Sequence, residues 1–103
     1  MLQFIAVGRM VKDVELKRAE GTVGVFTLAT TIPEKDEEGK RKTEFLNCVC
    51  FGKTAENLAK YTQKGDLISV KGYPKTESYQ KENQTHYVTK FYISDIEYLT
   101  AKK

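Results

Sequence analysis

The chain has 103 residues, enough for one domain (residues 1–103) with a modest core and no need of disulfides or metal. Hydrophobic residues make up 40% and charged residues 30%, a globular composition, and no apolar run is long enough to span a membrane. With 17 basic and 14 acidic residues the net charge is +3, which permits a polyanionic partner without demanding one, so any basic surface must come from how the lysines are arranged.

The pattern is one of short β runs separated by polar turns. Leu2 to Met10 is apolar and β-prone, and the run continues through Val14 and Leu16; Glu20 and Gly21 make a turn. Val23 to Ile32 is rich in β-branched and aromatic residues and forms the second strand. Pro33 to Lys42 is almost entirely charged and reads as a hairpin loop, after which Glu44 to Phe51 is the third strand. Lys53 to Lys64 carries Ala55, Leu58, Ala59 and Tyr61 at helical spacing, with Thr54 as the expected N-cap and Gly65 as the residue just past the end. Leu67 to Tyr79 and Tyr87 to Leu99 are the last two strands, joined by the polar turn Gln80 to Gln84. The expected fold is all-β: a five-stranded oligonucleotide-binding (OB) barrel with one short helix between strands 3 and 4.

Strand alternation assigns faces. In the third strand Phe45, Asn47, Val49 and Phe51 share one face, and Leu46, Cys48 and Cys50 share the other. Thiols and small apolar side chains suit a core, which leaves the two phenylalanines either exposed or plugging a second core or a subunit interface. In the fourth strand Lys71, Tyr73, Lys75, Glu77 and Tyr79 share a parity. Alternating lysine and tyrosine makes a poor core and a good groove for a polyanion carrying flat bases: lysines neutralise phosphates, and rings stack on bases of any identity. A solvated edge strand protected by lysine is the plainer reading of the same pattern. Catalysis finds little support, because His86 is the only histidine and no serine or cysteine has an evident base partner. Two cysteines and one histidine do not make a structural zinc set, so no metal and no cofactor are expected. No signal peptide precedes the first strand, and the thiols fit a reducing, cytoplasmic setting.

The chain resembles the DNA-binding domain of bacterial and phage single-stranded DNA-binding proteins. The resemblance rests on Val7-Gly8-Arg9, Lys12-Asp13, Phe26-Thr27-Leu28-Ala29, Glu44-Phe45-Leu46-Asn47-Cys48-Val49, Phe51-Gly52-Lys53, Ala55-Glu56-Asn57, Lys64-Gly65-Asp66 and Gly72, in that order over nearly the whole chain. It implies an OB fold and non-catalytic, largely sequence-independent binding of single strands, in replication, recombination, repair or transformation. It also implies a homo-oligomer, a tetramer before a dimer. By position, Phe45, Phe51 and Tyr79 match the family's base-stacking aromatics, and Lys17, Lys53 and Lys75 match basic positions along the DNA path. Arg9, Asn47, Lys71 and Tyr73 complete the expected nucleic-acid-binding set.

Two departures from the family pattern stand out. Ile32-Pro33-Glu34 has no aromatic where many relatives carry another stacking ring, and Glu77 stands where relatives commonly place a basic residue. The family's acidic recruitment tail has no counterpart in Leu99-Thr100-Ala101-Lys102-Lys103, so recruitment of repair proteins is not expected, and the last two lysines are expected to add weak contact to DNA. An RNA-binding barrel and a replication-restart interaction module are the competing functions. The first strand is apolar on both parities, which also points to self-association.

Overall fold

Residues 1–100 are described, in a computed structural model. Lys102 and Lys103 lie outside them, and so does the contact to DNA expected of those residues. The chain forms β1 (Phe4–Met10), β2 (Glu15–Lys17), β3 (Val23–Lys35), β4 (Arg41–Phe51), α1 (Gly52–Tyr61), β5 (Leu67–Lys81) and β6 (Gln84–Tyr98). The strands form one sheet in the order β1-β5-β6-β4-β3-β2, and a further β1–β3 pairing through Arg9↔Ala29 and Met10↔Leu28 closes it. Every pairing between these strands is antiparallel except β4–β6, which run parallel at Cys48↔Phe91 and Val49↔Tyr92. This is the OB barrel expected from the order of elements.

The predicted first strand divides in two. Lys12-Asp13 leaves the ladder because the Asp13 carboxylate accepts the Lys64 N–H at 2.7 Å, drawing this corner toward the turn after α1. With β2 taken as the continuation of β1, the helix follows the third of the barrel's five strands. The expected loop from Pro33 to Lys42 shrinks to residues 36–40, since β3 runs on to Lys35 and β4 begins at Arg41. Pro33 sits inside the register irregularity between Thr31 and Lys35, where its missing N–H breaks no ladder bond. The turn between β5 and β6 is also tighter than expected: Glu82 and Asn83, at φ 53° and 62°, form a two-residue hairpin turn of the kind whose twist matches the flanking strands.

Inward-facing residues alternate along each strand and meet in a core of Met10, Phe26, Leu28, Cys48, Cys50, Ile68, Val70 and Ile93. The helix closes the barrel with Ala55 and Leu58, three apart and both fully buried. Its ends differ from those expected. Thr54 is not the cap: Phe51 holds the N-cap position in extended conformation and makes no side-chain capping bond. Gly52 follows at φ 58°, a left-handed conformation that glycine adopts without strain, so the chain turns from strand to helix in one residue. Nor does the helix reach Gly65. Thr62 ends it, its N–H (3.1 Å) and its hydroxyl both donating to the Leu58 carbonyl, while Gly65 lies in the next turn and donates its N–H to Met10 O at 2.8 Å. Among the described residues no helix is long and apolar enough to cross a membrane, and no cluster of three potential metal ligands occurs.

Candidate nucleic-acid interface

The alternation read in β4 is present. Cys48 and Cys50 point inward and are fully buried, whereas Phe45 and Phe51 are 62% and 52% exposed. Burial raises the Cys48 thiol to about 12, with Cys50 adding to the rise, and raises Cys50 to about 11. Both therefore stay protonated at neutral pH, poor nucleophiles and poor metal ligands, and behave as small apolar core residues. Val49, of the same parity as the phenylalanines, is covered instead; it lies between Val25 on β3 and Tyr92 on β6.

The central feature of the outer face is Tyr92. Its ring runs nearly parallel to Phe51 on one side (centroids 6.0 Å apart, planes 11° apart) and to Tyr73 on the other (5.6 Å, 14°). The three rings thus form a row across β4, β6 and β5. Strand pairing explains it: Tyr73 is directly opposite Tyr92, and Tyr92 is beside Val49, two residues before Phe51. Lys75 places its ammonium 5.6 Å from the centre of the Tyr92 ring, within cation–π range. The Tyr92 hydroxyl donates to Glu77, which also pairs with Lys90 at 3.3 Å. That hydrogen bond, followed by Lys90, holds Glu77 below the usual carboxylate range, and the same bond raises Tyr92.

The other expected residues are distributed around this row. Lys17 is opposite Val23, which is opposite Phe51, so the three align across β2, β3 and β4. Lys53 is exposed in the first turn of α1, two residues from Phe51. Phe45 lies six residues from Phe51 along β4, about 20 Å at the rise of a strand. Tyr79 lies as far from Tyr73 along β5, and it stacks on His86 of β6 (5.3 Å, 21°). Asn47 is exposed beside Thr27, between Phe45 and Val49.

Two expected residues are less free. Arg9 is level with Phe45 through Ala29, but its guanidinium donates to the Gly65 carbonyl at 3.0 Å and so ties β1 to the turn before β5. Lys71 lies opposite Ile5 of β1 and Asp95 of β6, toward the apolar first strand and away from the ring row.

Tyr92, Lys90 and His86 are not among the residues expected at this face from the sequence. The signal for Tyr92 was present in the spacing of its apolar neighbours. Phe91, Ile93 and Ile96 all pack on the core, at intervals of two and then three. A step from two to three along a strand marks a bulge. The bulge falls at Ser94, between the pairs Gly72↔Ile93 and Lys71↔Asp95, and the Ser94 hydroxyl donates to the Lys71 carbonyl at 3.1 Å. Before the bulge, Tyr92 and Lys90 must face outward with Tyr73 and Lys75.

The single-strand binding protein family matches residues 1–99 of this chain. The chain is 37% identical over 101 residues to the single-stranded DNA-binding protein of Staphylococcus epidermidis, covering 97% of this chain and 77% of that protein. It is 39% identical to the single-stranded DNA-binding protein of Streptococcus pyogenes serotype M1 and 40% identical to single-stranded DNA-binding protein 1 of Staphylococcus aureus, with 95% of this chain covered in each case. It spans 62% and 65% of the length of those two proteins. The family is thus shared from the first strand of the barrel to the end of the last, and the chain belongs to the single-strand binding protein family.

Proposed function

We propose that this protein binds and protects single-stranded DNA, without catalysis and with little regard to sequence, in replication, recombination, repair or transformation, with residues 1–103 acting as one binding domain in the cytoplasm. The observation that carries this reading is the ring row Phe51–Tyr92–Tyr73 on an outer sheet face, with Lys17, Lys53 and Lys75 around it. Aromatic faces stack on any base, and the surrounding ammonium groups meet phosphates, so affinity does not depend on reading base edges. Phe45 and Tyr79, about 20 Å along their strands from the row, extend the path in the same chemistry. Asn47 lies on the same path; Arg9 and Lys71 border it.

The test is a competition between a matched single strand, duplex and RNA strand at several salt concentrations. The single DNA strand is expected to win, with log affinity falling by about 0.7 per phosphate neutralised for each unit of log salt. Equal affinity for duplex, or a flat response to salt, would defeat the reading; preference for the RNA strand would move it to RNA.

A homo-oligomer, a tetramer before a dimer, is part of the same reading. Ile5 and Val7 are 70% and 50% exposed on β1, and β1 pairs with β3 only at Arg9 and Met10, so among the described residues the opposite edge of its first residues is open. An apolar groove continues from these residues to Ile32 and Leu46. Strand pairing between copies would cover both the open edge and the apolar side chains. Light scattering at micromolar concentration is expected to give a multiple of the 11.8 kDa chain mass, and a single-chain mass would overturn the assignment.

A further inference from the structure

Lys75 and Lys90 are directly opposite each other on β5 and β6. Like charges in that position repel, and an isolated hairpin would be weakened by the pair. Glu77, two residues from Lys75 on the same face, resolves the repulsion. Its carboxylate sits 3.3 Å from the Lys90 ammonium through one oxygen and accepts the Tyr92 hydroxyl through the other. Lys75, meanwhile, leans over the Tyr92 ring. One acidic side chain therefore neutralises one of two cations and fixes the central ring of the row.

We infer that Glu77 is an intramolecular counterion that occupies Lys90 in the free protein, competes there with the DNA phosphate, and so sets the affinity and salt dependence of single-strand binding. The inference rests on the proposed DNA-binding reading of this face. A phosphate entering beside Lys75 and Lys90 must displace Glu77 from Lys90 or accept its repulsion. A carboxylate held in place by two partners does not drift aside as a free surface glutamate would.

The experiment is single-strand titration of Glu77→Gln across a range of salt. Glutamine keeps an oxygen that can accept the Tyr92 hydroxyl but carries no charge, so it separates the counterion role from ring positioning. Freeing Lys90 for one more phosphate adds about −0.7 to the slope of log affinity against log salt, so binding is expected to be tighter than wild type at low salt, with the gain shrinking about 2.6-fold between 50 mM and 200 mM. Lys90→Gln placed in the Glu77→Gln background is expected to abolish the gain. Lys90→Gln alone is expected to weaken binding at low salt, because Glu77 is then left uncompensated beside the DNA.

Thermal melts check that each variant is folded, and Phe51→Ala is the control for the underlying reading. If Phe51→Ala weakens binding while Glu77→Gln leaves affinity and slope unchanged, the counterion role is overturned and the DNA-binding face stands. A folded Phe51→Ala that binds as the wild type does overturns both.

Discussion

Replacing Phe51 with Ala is expected to weaken single-strand binding by about 5- to 150-fold, the equivalent of losing one stacked base at about 1–3 kcal/mol. The ring stands at the junction of β4 and α1, 52% exposed, at one end of the row through Tyr92 and Tyr73. A phenylalanine that plugged the core would cost several kcal/mol of folding stability when truncated. This one faces outward, while the core beneath is filled by Cys48, Cys50, Ala55 and Leu58. The expected stability loss is therefore about 1 kcal/mol, the contact with Tyr92. The binding loss should persist as salt rises, because stacking is not screened. By contrast, the smaller loss expected of Lys53→Ala should shrink with salt. Titrations and melts of both variants decide the matter. A large drop in melting temperature with unchanged affinity in the folded fraction would return Phe51 to the core.

Replacing Gly72 with Ala is expected to destabilise the fold by at least about 3 kcal/mol. A Cβ at this position would lie 1.9 Å from the Tyr92 carbonyl oxygen, 2.9 Å from its carbon and 3.0 Å from the Ile93 Cα. All three are backbone atoms, so no rotamer change relieves the clash. The strands β5 and β6 would have to part, or slip by one residue at the Ser94 bulge. In a domain of this size the cost corresponds to a fall in melting temperature of roughly 12–24 °C. Slippage would also reverse the faces of Tyr73 and Tyr92 relative to each other and break the ring row. Any folded Gly72→Ala protein is therefore expected to bind single strands more weakly. A melting temperature within a few degrees of wild type would show that β5 and β6 part at this position at little cost.

Both variants touch the same region, and they differ in what the sequence disclosed about it. Phe51 was legible because a strand's side chains alternate with period two. Placing the thiols of Cys48 and Cys50 inside puts Phe45 and Phe51 on the opposite face, but only the pairing of β4 with its neighbours leaves them exposed there while covering Val49. The order of strands and the single amphipathic segment likewise disclosed the barrel, since local pattern and turn chemistry do not depend on distant partners. Gly72 appeared only as part of a family resemblance. That another backbone passes within contact distance of it depends on register, which is set across the sheet.

The set of elements and the facing of residues within each uninterrupted strand are thus written in the linear order of residues. Which faces meet is set only when the strands pair. The bulge at Ser94 shifts the parity of β6, so Tyr92 joins Phe51 and Tyr73 although no linear pattern links residues 51, 73 and 92. Arg9, expected along the DNA path, is engaged by the Gly65 carbonyl, 56 residues away. Glu77, a simple departure from family pattern in the sequence, gains its role only because β-pairing sets Lys90 opposite Lys75 and brings both within its reach. Alternation is a property of one strand and is written locally. Register, bulges and cross-strand charge pairs belong to two or three strands at once, and they take form only when the barrel closes.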